Sequence, residues 1–161
     1  MHYRIRSVRR MRGSVSVEAA LLAIPMVILL LGILEFGHAL YQYNTIVKSV
    51  RDATRLLSAY SPVQADYPMG TAQCLVVYGN PACTNPPLVN GLTTNMVVIC
   101  DQTNTSGCTG QFKNVQTDPS GDTINLVQVK VTGYPYAQIT GFFNLAGLIF
   151  GDISCVMRQA L

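Results

Sequence analysis

From Ala19 to Leu34 the chain carries no charged side chain and no strongly polar one; with Glu35 tolerated, the apolar run continues to Tyr41. Those 23 residues make a helix about 35 Å long at about 1.5 Å per residue, enough to span a bilayer core of about 30 Å. No other feature restricts the fold as much. Only 12% of the 161 residues are charged, against 49% hydrophobic. That is about half the usual charge content of about 25% in soluble domains, so part of the chain has lipid or a partner as its solvent. The formal charge of +3 is unevenly spread: Arg4, Arg6, Arg9, Arg10 and Arg12 all precede Gly13, leaving six basic against eight acidic residues, or −2, on the remainder. A basic tail ahead of an apolar span is a topology signal. It keeps the N-terminus cytoplasmic and exports the chain beyond Tyr41. No interleaving of basic and aromatic residues supports nucleic-acid binding. Tyr41 and Tyr43 suit the outer interface.

A cleaved secretory signal is the first alternative, but the run exceeds the roughly 7–15 residues of such a region and no A-x-A site follows. A plain, uncut signal anchor is the second. Pro25 and Gly32 lie inside the span. Proline costs a water-exposed helix about 3 kcal/mol, and in a membrane it is tolerated where neighbours or local unwinding satisfy the freed carbonyl. A kink or local melting near Pro25 is therefore expected.

Glu18 sits at the cytoplasmic doorway of the span. An acid there costs less than at mid-bilayer, and the plainest role is to snorkel toward a nearby arginine. Its spacing allows another. A cut after Gly13 would make Ser14 the new N-terminus and Glu18 the fifth residue. The new α-amino group of one subunit would then pair with Glu18 of a neighbour and set axial register, because a mismatched stack strands a buried charge. Glycine at the cut suits a backbone that must extend into a protease cleft.

Arginines, Gly13, four residues, Glu18 and an apolar helix resemble the class III signal of type IV prepilins and pseudopilins, with Ala19 where a bulkier aromatic is common. "RGSVSVEAALLAIPMVILLLGILEFGHALYQYNTIVKSVRDATRLLS", Arg12 to Ser58, resembles the N-terminal region of TadE-like proteins, minor pseudopilins of the tight-adherence (Tad) pilus. "VQVKVTGYPY" and "DISCVMRQ" fit more loosely. The resemblance implies a prepilin peptidase that cuts between Gly13 and Ser14, other pilin and pseudopilin subunits as partners, and an inner-membrane assembly platform. It also implies a pilin-like fold.

The helix is expected to run on from Ser14 to Ser58, with Ile46, Val47, Val50, Thr54 and Leu57 on one stripe and Lys48, Arg51, Asp52 and Arg55 largely elsewhere. Glu35 falls near the outer leaflet, either snorkelling or contacting a partner helix, and His38, one turn on, is expected to share a hydrogen bond with it. Pro62 and Pro68 close the helical pattern. Short β-like runs come next: "CLVVY" (74–78), "MVVIC" (96–100), "INLVQVKVTGY" (124–134) and "DISCVMR" (152–158). Val127, Val129 and Val131 alternate with Gln128 and Lys130 as in a half-buried antiparallel strand. "DPSGD" (118–122) reads as a turn with too few ligands for calcium. "ITGFFNLAGLIF" (139–150) is too short to span and reads as a buried helical turn or an exposed patch. The expected architecture is α+β: a long helix, its lower half in the membrane, with three or four antiparallel strands packed on its upper half. The segments are a leader (1–13), a membrane helix (14–41), its amphipathic continuation (42–58) and an exported domain (59–161).

All five cysteines, Cys74, Cys83, Cys100, Cys108 and Cys155, come after residue 73 and fall on the exported side, where disulfides persist. Close spacing favours Cys74–Cys83 and Cys100–Cys108 among fifteen arrangements, with Cys155 left over, buried in the last strand or paired between chains. A zinc site is disfavoured because neither histidine nor C-x-x-C accompanies them. No nucleophile–base pair, phosphate loop or metal cluster is visible, so neither enzymatic activity nor a cofactor is expected. The expectation is an inner-membrane, single-pass minor pilin that helps assemble or prime a Tad-type pilus for surface adhesion and reaches the cell surface with it. The alternative is an uncleaved, signal-anchored periplasmic adaptor or binding module of a secretion system.

Overall fold

A computed structural model of the chain describes residues 12–117, 119, 121–142, 145 and 147–159, with the backbone alone at 12–14. The first eleven residues of the expected leader, with Arg4 to Arg10, lie outside the described residues. So do Asp118 and Ser120 of the expected turn.

Helix α1 runs from Arg12 to Ser58, 47 residues, with Pro25 inside it. No break interrupts it at Pro25, although proline there leaves the Leu21 carbonyl without its helical donor. The large apolar side chains from Val15 to Leu34 are exposed, apart from the half-buried Leu31. Above them one stripe disappears from solvent: Ile46, Val50, Ala53, Thr54 and Leu57 are all buried. The spacing of three and four residues puts them on a single face. Among the described residues α1 is the one helix long and apolar enough to cross a membrane.

The stripe is covered by a small domain. Helix α2 (Met69–Tyr78) packs on α1 together with a three-stranded antiparallel sheet. Its strands are β1 (Val97–Cys100), β4 (Leu126–Val131) and β5 (Ile153–Arg158), with β4 in the centre. Two short strands, β2 (Val115–Gln116) and β3 (Thr123–Ile124), form a separate ribbon. Val127, Val129 and Val131 of β4 are buried in the core, and Lys130 between them, flanked by Val98 and Ser154, is only 8% exposed. In β5, Ile153, Cys155 and Met157 alternate toward that core while Ser154, Val156 and Arg158 are exposed. The layout is α+β, a long apolar helix with a small antiparallel sheet on its upper half.

One element departs from the sequence reading. "CLVVY" (74–78) is the second half of α2 and not a strand. Its β-branched residues favour a strand, but Ala72, Val76 and Val77 have helical spacing and bury against the core. Tertiary packing outweighs a propensity worth less than about 1 kcal/mol per residue. Gly79, at φ 69°, ends the helix in the left-handed conformation that glycine adopts without strain.

Candidate functional site

The two ends of the membrane-side helix carry the chemistry. At the lower end, the Gly13–Ser14 bond lies in the first turn of α1, and Glu18 is exposed. At the upper end Glu35 is enclosed, only 4% exposed. Its cover comes from the chain itself. The Tyr136 hydroxyl donates to Oε1 at 2.7 Å and the Ile139 amide to the same oxygen at 3.0 Å. Thr140 donates to Oε2 through its hydroxyl at 2.9 Å and its amide at 3.2 Å. Each oxygen thus accepts two bonds, close to the full capacity of a carboxylate. All four donors are neutral. The Tyr136 hydroxyl also lies 3.0 Å from the Glu35 carbonyl oxygen. Burial first, and then the Glu35 carboxylate, push its phenol up to about 12, so it remains a donor at any physiological pH.

Two turns up, on the same face, Gln42 continues the attachment. Its Nε2 donates to the Ala137 carbonyl at 3.0 Å and lies 2.7 Å from His38 Nε2. His38 therefore faces Gln42, and the expected bond from His38 to Glu35 is replaced by the four donors of the 136–140 segment. An aromatic cluster backs the segment: Tyr134, Tyr136 and Tyr43 all have ring centroids within 6.3 Å of Phe150. A groove of about 310 Å³ remains between α1 and this segment, lined by Gly32, Phe36, Ala39, Tyr136, Leu145 and Leu148 besides Glu35.

Far from the membrane side, two short loops are tied. Disulfides join Cys74 to Cys83 and Cys100 to Cys108, with Cα separations of 5.0 and 5.9 Å, and leave Cys155 unpaired on the core side of β5. Asp101, fully buried, organises the second loop. It accepts from the amide and hydroxyl of Thr103 at 2.8 and 2.6 Å and from the amide and side chain of Asn104 at 2.8 and 2.9 Å. Burial alone would raise its carboxyl pKa; those donors together outweigh it and hold the group below the ordinary carboxylate range. Burial, assisted by the nearby Asp101 charge, pushes the Tyr67 phenol up.

Sequence reasoning located Glu35 but not Tyr136, Ile139, Thr140 or Gln42. A signal was present: residues 134–150 contain no charged side chain.

The arrangement defines a class: a membrane-anchor helix whose upper half is built into a small domain. Residues 13–55 match the TadE-like protein family, a span that begins at the glycine and takes in both Glu18 and Glu35. The domain beyond α1 lies outside that match. No curated protein and no solved structure matches the chain.

Proposed function

We propose that the chain is a minor pilin-like subunit of a Tad-type pilus, inserted in the inner membrane with its N-terminus cytoplasmic and its domain periplasmic. A prepilin peptidase cuts between Gly13 and Ser14. The freed helix joins other pilin subunits at the assembly platform and helps to prime or build the fibre. The role is structural, not catalytic. One observation carries the reading: within the TadE-like span, the apolar lower half of α1 is almost entirely uncovered by its own chain while one stripe of the upper half is buried under the domain. A helix of that kind exchanges lipid for neighbouring helices without unfolding its domain. Glu18, exposed at the lower end, is free to take the α-amino group of a neighbour's Ser14.

The helical state of the Gly13–Ser14 bond favours a second reading, an uncut periplasmic adaptor, since proteases bind extended chain. For cleavage the first turn must open, and a terminal turn containing glycine opens readily. Mass spectrometry of the membrane-bound chain, with and without a prepilin peptidase, separates the two. A peptidase-dependent start at Ser14 supports the pilin reading; an uncut arginine-containing N-terminus in both samples supports the adaptor. Glu18→Gln is expected to leave cleavage intact and reduce incorporation into pili. Normal piliation in that variant would overturn the register role.

A further inference from the structure

The geometry points to a membrane-embedded foot: residues 136–142 with Leu145 and 147–149, clamped to Glu35, rest in the outer interfacial layer of the same bilayer that α1 crosses. This inference rests on the membrane-spanning reading of α1 and adds a lipid-binding surface to the domain.

Three observations lead to it. The first is height. From Glu18, at the inner edge of the span, to Glu35 the helix rises about 26 Å, so in a bilayer core of about 30 Å Glu35 lies within about one turn of the outer boundary. The segment bonded to Glu35 lies at that boundary. The second is surface chemistry. Ile139, Leu148 and Ile149 of the segment are exposed, and beside them on α1 so are Phe36, Leu40 and Tyr41. They extend, without interruption by charge, the exposed apolar surface of α1 below. Between Ala19 and Val47 the one acidic or basic side chain, histidine aside, is Glu35. Residues 134–150 hold none.

The third is how that one charge is treated. A carboxylate at the edge of the hydrocarbon is tolerated when its lone pairs are filled. Here four bonds from neutral groups fill them, and those groups belong to the segment whose outer side is apolar. The segment therefore shields Glu35 with donors on one side and presents aliphatic side chains on the other. In water that outward face would be an unexplained apolar patch; against lipid it is a wetting surface. The groove between the segment and α1 has room for the end of an acyl chain. Depth is limited in turn. Irregular backbone does not enter lipid-facing hydrocarbon, because its polar groups would go unpaired. The foot stops at the headgroup and upper-acyl region, where an apolar face is buried about 5–10 Å.

The chain contains no tryptophan, so a single introduced one reports its own surroundings. The full chain is reconstituted in phosphatidylethanolamine–phosphatidylglycerol vesicles with spin-labelled lipids, the label either at the top of the acyl chain or near its methyl end. Four variants are compared: Ile139→Trp and Leu148→Trp in the foot, Ile24→Trp in the span, and Val63→Trp, 74% exposed and five residues past Ser58, the end of α1, which is itself about 35 Å of helix rise above Glu35. The foot variants are expected to lose on the order of half their emission to the shallow label, at least about twice the loss at Val63, and less to the deep one. Ile24→Trp is expected to respond most to the deep label. Quenching at Ile24 with Ile139 and Leu148 behaving like Val63 would overturn the foot and leave the membrane span standing. Absence of quenching at Ile24 would overturn the span and the foot together. Alkylation of free thiols verifies that the Cys74–Cys83 and Cys100–Cys108 loops are closed in each variant. Two foot positions are used so that a misfolded one leaves the other to decide.

Discussion

In its lower half α1 displays leucines open to a partner, Leu29 being 67% exposed; on the stripe under the domain the same residue type is enclosed, Leu57 being 0% exposed. The backbone is one continuous helix across both. Residue type thus does not decide burial here. What differs is which neighbours are covalently supplied. The upper half carries its solvent with it, in the form of α2 and the sheet. The lower half depends on whatever surrounds the subunit. Glu35 marks the seam, and its hydrogen bonds fix where one regime ends and the other begins.

The contrast can be broken most severely from the upper side. Leu57→Ala empties a fully buried position and is expected to cost about 2–5 kcal/mol, read as a lower denaturant midpoint of the detergent-solubilised chain. Cys74→Ser opens the α2 loop and should cost about 2–3 kcal/mol on the same measurement, by the loop-entropy account. Acid comes next. The Asp101 carboxyl is held below its ordinary value, so the stability it contributes is full above about pH 4, where the unfolded group is ionised, and is lost as pH falls through the lower folded value. Stability of the wild-type chain should therefore drop on acidification below about pH 4, and Asp101→Asn should flatten that limb.

At the seam the effect is local. Glu35→Gln replaces an acceptor of four bonds with an amide, and exchange of the Ile139 and Thr140 amides should quicken on the order of tenfold while the β4 amides keep their rates. Equal acceleration in both places would show that the seam is not a separable unit. The smallest effect is expected below it: Leu29→Ala should move the domain's midpoint by no more than about 0.5 kcal/mol, as for other substitutions outside a protein core.

Long-period features were legible in the sequence. The apolar run, the stripe from Ile46 to Leu57, and the alternation in β4 each repeat often enough for one residue to support the next. The second half of α2 was not, because five residues rich in valine and tyrosine fit a strand by type and a helix by the burial of Ala72, Val76 and Val77. The seam was half legible. Glu35 stood out as a lone acid, but its partners are neutral and begin about a hundred positions away, with Tyr136 separated from it by 101 residues. No charge complementarity marks such a pairing, and the backbone amides of Ile139 and Thr140 leave no trace in side-chain identity.

The packing of β5 against α1 has a consequence for timing. Chains are made from the N-terminus onward, so the stripe from Ile46 to Leu57 is among the first apolar surfaces to emerge, and β4 and β5, which close over it, are among the last. For most of synthesis that surface has no intramolecular cover. The nascent upper helix therefore needs a temporary host, and the bilayer adjoining its lower half is the nearest one. On the membrane-spanning reading of α1, folding of this chain is then a withdrawal, in which the upper turns leave a provisional lipid shelter as each piece of the domain arrives to replace it.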